Sequence, residues 1–344
     1  MSVAQSAVGA GRGNAWAGSN VLVTGAGGFV GAWLALELAN RGARVVALLH
    51  DRQPVSSLEA LGGERQAVRA YGSVTDEALL DRLLNRYEVD TVFHLAAQAI
   101  VGAANRSPLP TFEANVRGTW TVLETARRCS TIRRVVVASS DKAYGEHVQL
   151  PYTEEFSLLG LNPYDASKAC ADVIARSYHK AFRLPVVVVR CANIYGGGDL
   201  NFSRIVPGTI HSALRGEPPI VRSDGTPVRD YLYVEDAVRG YLAAAERLED
   251  PAVAGCPFNF GTKRPVAVLE LVGAILNATG RSDLKPKVLG KGKLSGEIDR
   301  QYLSSVRAHE VLGWSARESL ESGLMKTTAW YAKFLAGQER SQAR

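Results

Sequence analysis

Residues 20–40 constrain the fold more than any other stretch of this chain. The apolar run Asn20–Thr24 reads as a strand, Gly25-Ala26-Gly27-Gly28-Phe29-Val30-Gly31 as a turn, and Phe29–Asn40 as the helix that leaves it. Glycines 25, 28 and 31 form a GxxGxxG pattern. In such a turn the first glycine permits the sharp bend, the second lets the backbone approach a pyrophosphate, and the third lets helix and strand pack closely. The free N–H groups and partial positive charge of the helix N-terminus then face the phosphates. Three glycines can also mark a plain turn. The context favours a bound dinucleotide, because this is the first strand–turn–helix of an alternating chain.

The alternation continues. Arg44–Leu49, Ala67–Tyr71, Thr91–Ala96, Arg134–Ser139 and Pro185–Cys191 read as further strands, Val-rich and in several cases apolar throughout. That composition suits strands covered by helices on both faces. Phe29–Asn40, Asp76–Tyr87, Phe112–Arg128 and Pro163–Phe182 read as the helices between them. The expectation is an α/β fold: a doubly wound parallel sheet of Rossmann type with right-handed crossovers. After Asn193, Gly and Pro become frequent and the segments shorten, which points to a smaller C-terminal substrate domain. The division predicted is a flexible tail at 1–18, a dinucleotide-binding domain at 19–193, a substrate domain at 194–231 and 262–335, and a polar, loose tail at 336–344. Within it Val234–Arg247 reads as a helix and Pro257–Phe260 as a strand, so that 232–261 returns to the main sheet.

Composition narrows the function. Lys plus Arg number 40 against 34 Asp plus Glu, a net charge of +6, but the positive residues are scattered and form no nucleic-acid motif. The four cysteines (Cys129, Cys170, Cys191, Cys256) make no CxxC pair, so no metal site is expected. Cys170 and Cys191 stand in apolar surroundings and read as buried thiols. The first residues lack the apolar core of a signal peptide, and no apolar run approaches the roughly 20 residues a membrane span needs. The expectation is a cytoplasmic protein with neither nucleic-acid nor membrane partners.

Asp51, twenty residues past Gly31, stands at the end of the second strand. A carboxylate there accepts hydrogen bonds from an adenosine ribose and repels a 2′-phosphate, which favours NAD. The adjacent Arg52 leaves NADP open, and a solvated loop pair is the bland alternative. Tyr164 and Lys168, in Tyr-Asp-Ala-Ser-Lys, share one helical face. Asn162 suits the cap and Pro163 the first turn. An ammonium nearby is expected to lower the phenol's pKa from about 10 so that it takes a proton from a sugar hydroxyl. Ser139-Ser140 ends the fifth strand, at the carboxyl edge where ligands of such sheets bind.

Glycine turn, Ser140 and the Tyr164/Lys168 helix together resemble the extended short-chain dehydrogenase/reductase family. His94-Leu-Ala-Ala-Gln98, Asn115-Val-Arg-Gly-Thr119, Asn193-Ile-Tyr-Gly196, Arg229-Asp230 and Leu312-Gly-Trp314 extend the likeness from about residue 20 to 330. The resemblance implies NAD held by Gly25, Gly28, Phe29, Val30, Gly31, Asp51, Leu95, Ala96, Ala97, Tyr164 and Lys168. It also implies a nucleotide-sugar substrate, for which Gln98 and Asn193 are candidate contacts. Arg204 and Arg229 are candidates for its diphosphate, since a guanidinium fork matches phosphate oxygens; an ordinary ion pair is the alternative for each. Asn259 reads as a turn cap. The family often dimerises through the helices placed here at 112–128 and 163–182, so a homodimer is expected. Trp120 and Tyr178 read as core first and as interface second.

Ser140 is followed by Asp141-Lys142. This is similar to the nucleotide-sugar 4,6-dehydratases of the family, nearest to the CDP-glucose type, in which an acid and a base follow the serine. The implied roles are proton donor to the departing C6 hydroxyl for Asp141 and base at C5 for Lys142. Lys142 must be neutral to act so; Lys168 is expected to help and ionised Asp141 to oppose. The alternatives are a pair that merely braces the loop, a 4-epimerase or reductase using Ser140, Tyr164 and Lys168 alone, and a non-catalytic NAD-binding regulator.

Overall fold

The computed structural model describes residues 15–52, 55–290 and 298–342, with Ser341 and Gln342 described by backbone alone. Most of the predicted N-terminal tail, residues 1–14, lies outside the described residues. Strand β1 (Asn20–Thr24) leads through the glycine turn into α1 (Phe29–Asn40), then β2 (Arg44–Leu49), a short α2 (Ser57–Ala60), β3 (Val68–Tyr71), α3 (Glu77–Arg86) and β4 (Thr91–His94). Helices α4 (Val101–Arg106) and α5 (Pro108–Phe112) precede a π-helical turn, Glu113–Arg117, that continues into α6 (Gly118–Arg128). Strand β5 (Arg134–Ala138), a 3-10 turn (Asp141–Tyr144), α7 (Pro163–Phe182) and β6 (Val186–Cys191) complete the first run.

After β6 come β7 (Asn193–Tyr195), α8 (Ile205–Leu214), β8 (Ile220–Val221), β9 (Val228–Tyr233) and α9 (Val234–Glu246). The chain closes with β10 (Pro257–Phe260), β11 (Pro265–Ala267), α10 (Val268–Ala278), β12 (Lys287–Val288), β13 (Arg300–Gln301), α11 (Val306–Leu312) and α12 (Leu320–Gln342). The main sheet runs β3-β2-β1-β4-β5-β6-β10, all parallel. Pro257–Phe260 thus returns to pair with β6. Strand order reverses between β1 and β4, the point where such sheets open a crevice for ligands.

The period-2 alternation of strand side chains explains the two helical layers. Val187 and Val189 of β6 pack with Val21, Val23, Phe93 and Val136 against α1 and α9. Val186 and Val188 pack with Leu22, Val92, Val135 and Val137 against α3, α6 and α7. Central strands therefore need apolar residues at every position, whereas the edge strand β3 is largely exposed. In the second lobe β9 is the hub: β11 pairs with it antiparallel, β13 and β7 parallel.

Several expectations are corrected. Cys170 is exposed on the outer side of α7, because only one stripe of that helix meets the sheet; Cys191 is buried as expected. Trp120 is 45% exposed on α6 and is not core. The chain after Leu335 continues α12 to Gln342, because Ala, Gln, Glu and Arg are good helix formers although polar. Asn259 is no turn cap: it is buried in β10, where its carbonyl accepts the Tyr144 hydroxyl at 2.8 Å. Among the described residues no helix is long and apolar enough to cross a membrane, and no His/Cys/Asp/Glu group is arranged to hold a metal.

Candidate active site

The glycine turn has the shape a dinucleotide needs. Gly25 takes φ +72, and a Cβ there would lie 2.7 Å from the Ala96 nitrogen, so the turn closes directly on the end of β4. A Cβ on Gly31 would lie 2.3 Å from the Gly25 carbonyl oxygen, so this glycine sets the close approach of helix to strand. A Cβ on Gly28 would meet only the Gly25 oxygen, at 3.3 Å, which leaves an open cradle at the start of α1. The residues therefore fit NAD. Asp51 lines a hollow of about 370 Å³ with Leu49, Arg52, Ser56, Glu59, Arg69 and Tyr71, beyond the carboxyl end of β2. Arg52 lies over the Tyr71 ring at 5.1 Å. Leu95, Ala96 and Ala97 follow β4, where the Thr24 hydroxyl accepts the Ala96 N–H at 3.2 Å. His94 bridges Thr24 and Thr119 at 2.9 and 3.1 Å; burial first, then the Lys168 charge, hold its pKa down at about 3.

A cavity of about 830 Å³ runs from Phe29 and Val30 past Ser140, Asp141, Lys142 and Tyr164 to Asn193, Arg204 and Arg222 of the second lobe. Strand β5 stops at Ala138, one residue before the predicted end, and the chain turns at once into the 3-10 helix Asp141–Tyr144. Gly145 ends that turn at φ +68, where a Cβ would strike the Leu159 carbonyl at 2.4 Å. This turn is what brings both Asp141 and Lys142 to the cavity. The Ser140 hydroxyl donates to Asp141 Oδ1 at 3.0 Å and accepts the Lys142 N–H at 3.2 Å. Lys142 Nζ lies 3.6 Å from Asp141 Oδ2, and Oδ2 is buried without a hydrogen-bond partner.

Two electrostatic expectations change. Burial, then the Asp141 charge, push the Tyr164 phenol up to about 12, with the Ser140 hydrogen bond and Arg204 opposing. Lys168 is not the group that lowers it: its ammonium donates to the Ala138 carbonyl at 2.8 Å, and burial brings its own pKa down to about 8. Lys142 is shifted below the usual lysine value, chiefly by burial, with Asp141 opposing as expected; the cation that helps is Arg229 rather than Lys168.

The substrate candidates divide. Asn193 and Arg204 line the cavity, the latter paired with Asp199 at 2.9 Å. Arg229 donates to the carbonyls of Val228 and Asp299 and is not one of the residues that line the cavity. Gln98 is folded back: its Oε1 accepts the Ile100 N–H at 3.1 Å, and Asn115 clamps its backbone at 2.7 and 3.1 Å. Asn115 sits in the π-helical turn and also donates to Ser167 of α7 at 2.8 Å, so the irregular turn ties the β4 loop to the Tyr164 helix. Asn162 is the N-cap residue of α7 and its carbonyl accepts the Ala166 N–H at 2.8 Å, but its side chain makes no cap bond to the backbone; its amide donates to Asp165 at 3.2 Å.

Sequence reasoning missed Arg106 and Arg222, both lining the cavity, and missed the support of the 3-10 turn. The Tyr144 hydroxyl accepts Arg190 Nη1 at 2.7 Å, and the fully buried Arg190 pairs with Asp172 at 2.7 and 2.9 Å. An arginine directly after four valines in β6 was the available signal. Gln301, 159 residues from Lys142, accepts from Nζ and donates to the Asp141 carbonyl at 2.9 Å. No spacing in the sequence points to it.

The chain is similar to known nucleotide-sugar dehydratases and epimerases. A model of the NAD dependent epimerase/dehydratase family matches residues 21–261. A dTDP-glucose 4,6-dehydratase of Xanthomonas campestris pv. campestris is 32% identical, covering 90% of this chain and 92% of the relative. A CDP-glucose 4,6-dehydratase of Salmonella typhimurium is 29% identical over 95% of this chain and 94% of its own. The structure of a UDP-glucose 4-epimerase from Thermotoga maritima with UDP-glucose superposes with a TM-score of 0.84 at 30% identity, covering 92% and 99% of the two chains.

Proposed function

The chain belongs to the NAD dependent epimerase/dehydratase family, of the extended short-chain dehydrogenase/reductase type, and on that premise we propose that it is a nucleotide-sugar 4,6-dehydratase. NAD, when bound, supplies a hydride acceptor that is restored within each turnover, so no second redox substrate is consumed. Tyr164 takes the proton of the C4 hydroxyl, and the 4-ketone that results acidifies the C5 hydrogen. Lys142 removes that hydrogen, Asp141 in its acid form protonates the C6 hydroxyl as it leaves as water, and the hydride taken from C4 returns to C6 while a proton returns to C5. Ser140 orients the Asp141 carboxyl through their 3.0 Å hydrogen bond.

The observation that carries this reading is the buried Asp141 Oδ2, which makes no hydrogen bond and has only the Lys142 ammonium 3.6 Å away, beside Tyr164 in the cavity. A polar atom left so is costly unless a ligand satisfies it, and a 4-epimerase has no step that needs a second acid/base pair. Native mass spectrometry with a panel of nucleotide hexoses tests it. The expected product has lost one water. An unchanged mass with an altered sugar would make the protein an epimerase, and no product from any sugar would leave a regulator.

CDP-glucose is the first substrate to try, because Lys142 rather than a second carboxylate follows Asp141. We place the nucleotide diphosphate between Arg204 and Arg222, which lie 18 residues apart in the sequence and face the same cavity. We also propose a homodimer through α6 and α7, which pack together and expose Trp120, Val173 and Phe182. Four free thiols suit a reducing compartment, which supports a cytoplasmic location.

A further inference from the structure

We propose that Gln301, on β13 of the second lobe, is a positioning residue for Lys142, whose uncharged amide holds Nζ against Asp141 without adding a charge beside it. The proposal rests on the dehydratase reading of Asp141 and Lys142 and adds a residue that no motif marks.

The geometry is specific. Gln301 is fully buried. Its Nε2 donates to the Asp141 carbonyl at 2.9 Å, and its Oε1 accepts from Lys142 Nζ. The amide cannot be turned around, because its oxygen would then face the Asp141 carbonyl oxygen, and both only accept. One side chain thus grips both members of the pair, from a strand that pairs with β9 rather than with the main sheet. It reaches across to a turn whose other anchors, Ser140 and Tyr144, belong to the dinucleotide-binding side.

The charge balance explains why an amide stands there. The ionisable groups that face Lys142 are Asp141 from its own turn, Asp165 from α7 and Arg229 from β9. The two carboxylates favour the ammonium; burial and Arg229 favour the amine, and the net effect is to lower the Lys142 pKa below the usual lysine value. Arg229 is the register partner of Gln301 across the β9–β13 pair, so both come from one ladder. A carboxylate in place of the amide would be a third anion at Nζ and would hold the proton that Lys142 must be without. A side chain with no polar atoms would take from Nζ and from the Asp141 carbonyl the bonds they make to Gln301.

Two variants test this in the NAD-loaded protein: Gln301→Glu and Gln301→Met. The first readout is the pH dependence of Lys142 acetylation by acetic anhydride, followed by peptide mass spectrometry, which needs no substrate. Lys142 keeps 19% of its side chain exposed, so the reagent reaches it. In Gln301→Glu the midpoint is expected to rise by about one unit, with labelling at neutral pH about tenfold lower. The second readout is exchange of the C5 hydrogen with solvent deuterium. Exchange is expected to fall about tenfold in Gln301→Glu at neutral pH and to recover at higher pH, with hydride transfer at the parent rate.

Gln301→Met, which keeps the length but neither bond, is expected to lose exchange about tenfold while keeping the parent's bound NAD and a cooperative melting transition, lowered by the two lost bonds. An unmoved labelling midpoint in folded Gln301→Glu, or parent-rate exchange in folded Gln301→Met, overturns the proposal. So does a uniform fall of every partial reaction with no change of pH profile, the mark of a merely structural residue. If the midpoint rises but no nucleotide sugar loses water, the dehydratase reading fails and the Gln301–Lys142 assignment stands.

Discussion

Asp141 divides its two oxygens between two tasks. Oδ1 accepts the Ser140 hydroxyl, while Oδ2 stays buried with no hydrogen bond, ion-paired with Lys142. If they are the elimination pair, replacing either spares hydride transfer and stops water loss. Asp141→Asn and Lys142→Met are therefore expected to accumulate 4-keto sugar with reduced cofactor, read as absorbance. C5 exchange should persist in Asp141→Asn and vanish in Lys142→Met. Both variants releasing a 4-keto-6-deoxy sugar at the parent rate would contradict the roles, and a common loss of stability and of all steps would mean a brace. Because Lys142 acts as the amine, turnover should rise with pH through its lowered pKa. Tyr164 presents the opposite problem, a phenol held up at about 12 by burial and Asp141. Tyr164→Phe should fold normally and lose at least about a hundredfold in rate; near-full turnover would remove it from the first step.

At the scale of elements, the first turn was legible because each glycine answers a local steric demand. Gly25 and Gly31 are closed to a side chain by backbone 2.7 and 2.3 Å away, while Gly28 is open on the cradle side. The two kinds of glycine should fail differently. Gly28→Val is expected to fold but to lose NAD, measured by cofactor content and direct binding; undiminished binding would take Gly28 out of the site. Asp51→Ala should weaken NAD, and a marked preference of the parent for NADP would undo that assignment. The β5 terminus was less legible. Val-rich residues predict the strand, but its end at Ala138 and the 3-10 turn depend on anchors from elsewhere. Tyr144 is held by Asn259 of β10 and Arg190 of β6, and Arg190 in turn by Asp172 of α7. A buried pair of this kind is supported only as a whole, since removing one partner leaves an unpaired charge.

For the molecule as a whole, the exposed faces of α6 and α7 and the buried neutral groups set its behaviour. Val173→Glu combined with Phe182→Glu should convert a dimer to a monomer by light scattering while leaving the fold intact. A parent that is already monomeric would end the dimer proposal. His94 is neutral in the fold down to about pH 3 but protonates near 6.5 when unfolded. The unfolded state therefore binds the extra proton between those values, and stability should fall as pH is lowered through that window. Urea midpoints measured from pH 7 to 4 should show this, and His94→Gln should flatten the decline. An equal slope in that variant would place the proton uptake elsewhere.

The sequence by itself determined what depends on neighbours along the chain. Apolar runs of period 2 or less, separated by amphipathic helices, specify the doubly wound sheet, and helix bounds at Phe29–Asn40 and Pro163–Phe182 follow from local signals. Tyr164 and Lys168 were legible because a helix converts a spacing of four into one face. The tertiary structure alone decided which charges meet. Arg229 acts on Lys142, Lys168 bonds to Ala138, and Gln98 turns back on its own loop. It also decided burial, exposing Cys170 and Trp120 on helices whose other stripe faces the core. Electrostatic partners are chosen by distance in space, and a contact such as Gln301 to Lys142 bridges 159 positions that no periodicity spans.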